Sequence, residues 1–131
     1  MKNVILIIVL AIAAVFIAGL VFAQQADLSG TWTGETVIPN VIDKDQITLV
    51  LKKEGATYSG TVTDSMGMAV ESPLENTEFK DGSLTSEFVI FNGMQNVRIY
   101  FALKVTGERL VGHWSDGMGE EGPIDLGRKK E

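Results

Sequence analysis

From Gly30 onward apolar and polar residues alternate with period two along nearly the whole chain, and no stretch there keeps a helical period of 3.6. In an extended strand every second side chain shares a face, so this alternation predicts strands buried on one side. Eight such strands can be read. The first, about Gly30 to Ile38, sets Trp32, Gly34 and Thr36 against Thr31, Thr33 and Glu35, and Pro39 ends it. In the second, about Gln46 to Lys53, Ile47, Leu49 and Leu51 share a face; in the third, about Thr57 to Thr63, Tyr58, Gly60 and Val62 do. The fourth, about Met68 to Lys80, is interrupted by Pro73, which predicts a bulge at Ser72-Pro73. After the hairpin signals Asp81-Gly82 and Asn92-Gly93 come the fifth strand, with Leu84, Ser86, Phe88 and Ile90 on one face, and the sixth, with Val97, Ile99, Phe101, Leu103 and Val105. The seventh carries Leu110, Gly112 and Trp114, and the eighth, about Pro123 to Arg128, carries Ile124 and Leu126.

One spacing recurs: Leu28-Ser29-Gly30-Thr31-Trp32, Tyr58-Ser59-Gly60-Thr61-Val62 and Leu110-Val111-Gly112-His113-Trp114. Each copy places a glycine between two large apolar residues on the inner face. Alternating small and large inward residues suit a narrow closed barrel, and glycine lets a strand bend as the sheet curls. The expected fold is all-β, a single antiparallel up-and-down barrel of about eight strands, with a two-sheet sandwich as the alternative.

If consecutive strands are neighbours, tight turns such as Glu54-Gly55, Asp81-Gly82 and Thr106-Gly107 fall at one end. Longer connections fall at the other, and Met66, Met68, Met94 and Met118 lie in or beside them. Methionine is flexible and polarizable, so these residues are read as a cap on the core, as a soft lip at a ligand mouth, or as thioether ligands for Cu(I). The expected ligand-binding set is Trp32, Phe88, Phe101 and Trp114 inside, with Met66, Met94 and Met118 at the rim.

The first residues change the picture of location. Val4 to Phe22 carries no charge and follows Lys2, and Val21-Phe22-Ala23 supplies a small-residue cleavage site. Residues 1–23 are thus read as a signal peptide, with a retained membrane anchor as the alternative, and residues 24–131 as one exported domain, periplasmic or secreted. Removing the leader takes away Lys2 alone, so a formal charge of −6 becomes −7. An acidic domain without a Lys/Arg cluster is repelled by phosphate backbones, which argues against nucleic-acid binding. With no cysteine there is no disulfide, and the core must supply the stability. A monomer is expected, touching a membrane only through an uncleaved leader.

No reactive constellation stands out. His113, the single histidine, falls on the face opposite Gly112 and Trp114, and one histidine without a cysteine makes no zinc set. Asp116, Glu120, Glu121 and Asp125 crowd the last loop without the spacing of a calcium loop. Glu35 and Glu87 read as surface carboxylates. Neither cofactor nor metal is expected, and no enzyme activity.

Gly30-Thr31-Trp32 opening the first strand, the period-two strands and the basic Arg128 closing the last one resemble the lipocalin and calycin superfamily. The spaced glycines, with Ser65-Met66-Gly67 before the Pro73-interrupted strand, are similar to small exported bacterial β-barrel domains of unknown function. The resemblance implies that Trp32 lies at a closed base with Arg128 stacked on it. The chain departs from lipocalins in lacking cysteines, an obvious C-terminal helix and the later Thr-Asp-Tyr motif. The leading functional expectation is a non-enzymatic exported barrel that binds a small apolar or amphipathic molecule; the alternative is a filled interaction or accessory module contacting an envelope protein or polysaccharide.

Overall fold

Nine antiparallel strands make up the computed structural model, which describes residues 26–130. The leader assigned to residues 1–23 lies outside the described residues. The strands are β1 (Gly30–Thr36), β2 (Asp45–Glu54), β3 (Thr57–Asp64), β4 (Ser72–Pro73), β5 (Glu75–Lys80), β6 (Ser83–Phe91), β7 (Asn96–Thr106), β8 (Arg109–Ser115) and β9 (Glu121–Arg128). They form one sheet in the order β4-β3-β2-β1-β9-β8-β7-β6-β5. Neighbours in sequence are neighbours in space, and β1 pairs with β9. The fold is therefore an up-and-down barrel, nearly closed, and no helix occurs among the described residues.

Nine strands replace the eight expected because the strand read over Met68 to Lys80 is divided, and the division brings the two edges together. Its first part pairs with β3, at Thr61↔Pro73 and Val62↔Ser72, and the Leu74 amide donates to the Gly60 carbonyl at 2.9 Å. Its second part pairs with β6. Proline lacks an amide proton, so the chain can leave one ladder there at little cost and join another. The register shift falls between Glu75 and Glu78, with Asn76 at φ 51°, and not at Ser72-Pro73 where proline alone would put it. Ser86 explains the displacement: this buried hydroxyl donates to the Glu75 carbonyl at 3.0 Å and lies 2.7 Å from the Thr77 hydroxyl, filling hydrogen bonds that the bulge frees. Across the seam, the Thr57 hydroxyl donates to the Thr77 carbonyl at 2.8 Å.

The inner face is the one that the alternation marks, with Leu49, Leu51, Tyr58, Val62, Leu84, Phe101, Leu103, Leu110 and Leu126 buried. Gly34, Gly60 and Gly112 sit where neighbouring strands press closest. A Cβ at these positions would overlap the carbonyl oxygens of Asp125, Val50 and Ala102 respectively. Gly30 differs, because its φ of +129° is one that other residues rarely adopt. The three copies of the recurring spacing thus share a pattern without sharing a cause.

The base is closed by residues 27–32, just before and within β1. Leu28 and Trp32 have no exposed surface, and Trp32 Nε1 donates to the Leu28 carbonyl at 2.9 Å. The Leu28 amide donates to the Tyr58 hydroxyl at 3.0 Å, and Tyr58 stands edge-on to Phe79. Over the Trp32 ring lies the Arg128 guanidinium, 4.3 Å from the ring centroid; its nitrogens also donate to the carbonyls of Ser29 and Asp27 and to Glu108.

Candidate functional site

At the end opposite Trp32 the barrel contains a cavity of about 240 Å³. Its wall is built from the inner faces of β2, β3, β6, β7, β8 and β9, through side chains that include Leu49, Val62, Phe88, Ile99, Phe101, Trp114 and Ile124. The apolar wall follows from period two: once Leu49 and Phe101 face inward, so do their neighbours two positions away. Phe88 and Phe101 stack obliquely, 6.1 Å between centroids. Trp114 is held by its indole, whose Nε1 donates to the Thr36 hydroxyl at 2.8 Å while that hydroxyl donates to the Pro123 carbonyl at 2.6 Å. This relay ties β8 to β1 and β9 and fixes one wall of the opening.

The expected site residues separate into three groups. Phe88, Phe101, Trp114 and Met118 line the cavity. Trp32 does not; it lies in the base described above. Met66 and Met94 are also away from the cavity lining. Asn92 accepts hydrogen bonds from the amides of Met94 and Gln95, both at 2.9 Å, which tightens that turn and leaves Met94 91% exposed. Met66 belongs to a turn whose amides are held from below, and Met68, not among the expected site residues, faces the cavity instead.

The groups holding the Met66 turn are the part of the site that residue spacing did not bring forward. Asp45 Oδ1 accepts from the Ser65 amide at 3.1 Å, the Ser65 hydroxyl at 2.9 Å and the Met66 amide at 3.3 Å. Asp64 Oδ1 accepts from the Ala69 amide at 2.7 Å. Both aspartates line the cavity, 2% and 8% exposed. Burial first, then a hydrogen bond to the Asp64 carboxyl and the charge of that neighbour, push Asp45 up from 3.8 to about 6, against the hydrogen bonds from Ser65 and Met66. Asp64 Oδ2 is buried with no hydrogen-bond partner among the described residues.

A signal for both was present. Asp45 continues the inward series Ile47, Leu49, Leu51 by one step, and Asp64 continues Tyr58, Gly60, Val62. Ending the strands one residue short, at the first charge, hides them. Asp116 and Glu120 complete the charged part of the mouth, with Asp116 Oδ1 accepting from the amides of Met118 and Glu120. Among the described residues no lysine, arginine or histidine lines the cavity.

The remaining candidates lie elsewhere. His113 is exposed on the outer wall, beside a shallow depression that also involves Tyr100 and Ser115. Glu35 contacts Lys44 and Gln46, and Glu87 contacts Arg98, all on the outside. Among the described residues no group of three or more His, Asp or Glu is placed to hold a metal ion. Compared with family models, curated proteins and solved structures, the chain matches none of them. The barrel architecture therefore rests on the structure itself.

Proposed function

We propose that the chain is an exported, lipocalin-like, non-catalytic barrel that takes a small apolar or amphipathic molecule through the mouth opposite Trp32. The observation that carries the reading is the cavity of about 240 Å³ with a wall dominated by Phe88, Phe101, Trp114 and aliphatic side chains. Ligand pockets combine such walls with a few fixed polar groups, and this cavity falls just below their usual range of ~300–1,000 Å³, which fits a small ligand. The apolar leader and the Gly30-Thr31-Trp32 opening with Arg128 over Trp32 support the exported, lipocalin-like part. Mass spectrometry of material extracted from the purified protein, joined to titration with an apolar fluorophore, tests it. Bound small molecules displaced by the fluorophore are expected. A protein that carries none and leaves the fluorophore dark overturns the reading.

A second reading has its own observation. Ile42 is fully exposed and Val70, Phe91, Met94 and Met118 more than half exposed, all in or beside connections of the mouth end. Exposed apolar side chains at one end fit an interaction module that contacts an envelope protein or polysaccharide. Ile42→Ser with Met94→Ser discriminates: it leaves fluorophore binding intact under the first reading and abolishes retention on isolated envelope material under the second.

A further inference from the structure

The cavity is apolar along its depth and charged only near its mouth, and every charged group there is of one sign. Asp45 comes from β2, Asp64 from β3, and Asp116 and Glu120 from the connection between β8 and β9. The lining contributed by the other elements includes Thr36 from β1 and Asn92 and Gln95 from the β6–β7 turn, without charge. Asp116 spends one carboxylate oxygen on its own loop. Asp64 does not spend Oδ2, although the residue is more than nine-tenths buried. A buried acceptor without a partner is costly, more so when charged, so a donor that reaches it gains what the empty site lacks.

From this geometry we infer that the Asp45–Asp64 carboxyl pair is the head-group site of the cavity and takes the ammonium of a small amphiphilic amine, whose apolar body lies against Phe88, Phe101 and Trp114. The inference rests on the ligand-binding reading above and specifies its ligand. An ammonium carries several N–H donors and one positive charge. It can therefore donate to the unpartnered Asp64 Oδ2 while its charge offsets the two neighbouring carboxyls. An anionic head group would meet four carboxyl side chains and no cation, and a hydroxyl would bring a donor without the charge. Burial strengthens the preference, since charges separated from water by an apolar wall are screened little. Exchange of a proton for an ammonium also makes binding and protonation compete: the amine binds more tightly as pH rises through about 6, with proton release from Asp45.

Titration calorimetry with octylamine, octanol and octanoate separates the possibilities, since the three share one apolar chain. Octylamine is expected to bind at least tenfold more tightly than octanol at pH 7.5, octanoate more weakly than either, and octylamine binding at pH 6 is expected to release up to one proton. Asp64→Asn and Asp45→Asn keep an acceptor oxygen for the turn amides, and both are expected to lower octylamine affinity at least tenfold while moving octanol affinity less than twofold. Equal binding of octylamine and octanol, or octylamine binding that survives both substitutions, overturns the head-group assignment and leaves the ligand-binding reading standing. Failure of all three probes to bind overturns both.

Discussion

Asp64 stands directly across the β2–β3 ladder from Ile47, which places it diagonally beside Asp45 at the lip of an otherwise apolar cavity. Burial, together with the neighbouring Asp64 carboxyl, raises the proton affinity of Asp45. Asp45, raised from 3.8 to about 6, binds its proton more tightly in the folded protein than in the unfolded chain. A group shifted upward stabilises most below its unfolded value, and that contribution is lost as pH rises through the folded one. Chemical unfolding should show stability falling between about pH 4 and pH 7, by on the order of 2 kcal/mol. Asp45→Asn keeps the acceptor for Ser65 and Met66 and should flatten that decline; an unchanged slope would remove Asp45 as its source.

Trp32 and Trp114, the two tryptophans, report on opposite ends of the barrel. Occupation of the cavity should change the fluorescence of Trp114, which lines it, and leave that of Trp32 alone. Trp114→Phe should abolish the ligand-induced change and Trp32→Phe should preserve it. The reverse result would place the ligand elsewhere.

Trp32→Ala removes a side chain without exposed surface and should cost about 3–5 kcal/mol, with ligand affinity of the folded fraction unchanged. Arg128→Ala removes the stacking contact and the donors to Ser29 and Asp27, and a smaller loss of about 1–2 kcal/mol is expected. Urea midpoints rank the two.

Gly112→Ala forces a methyl group onto the Ala102 carbonyl, so β7 and β8 must separate. Overpacking of this kind costs about 1–3 kcal/mol. Gly55→Ala meets no atom within 4 Å, but its φ of 61° makes the residue strained on its own account. Thermal melts should show both variants weakened, with amide exchange rising along β7 and β8 only in the first.

Arg98 bridges Glu75 and Glu87, which face each other across β5 and β6 and would otherwise repel. All three are solvent-accessible, so Arg98→Ala should cost little stability, and less still in high salt. Hydrogen exchange should quicken in β5, beside the seam, before it does in β9.

Period two marks the inner face of every long strand, because a side chain such as Leu49 or Phe101 has only two directions available once the backbone is extended. What it does not mark is where a strand stops. Asp45 and Asp64 look like loop residues to any reading that ends strands at a charge, and they become inward only through the register of β2 and β3. The division of the Pro73 strand was visible as an interruption, but its pairing with both β3 and β6 depends on contacts far apart in sequence. Methionine position within a connection says little about direction: Asn92 turns Met94 outward, whereas Met118 and Met68 reach the cavity.

The grip of Arg128 on the carbonyls of Asp27 and Ser29 means that the two ends of the described residues meet at one place, beside paired β1 and β9. The wall is accordingly a nearly closed ring, paired continuously through β1 and β9 and interrupted only at the seam between β4 and β5. Joining those ends with a short linker and reopening the ring at Asp81-Gly82 should yield a circular permutant with both new termini at the base and the binding mouth undisturbed.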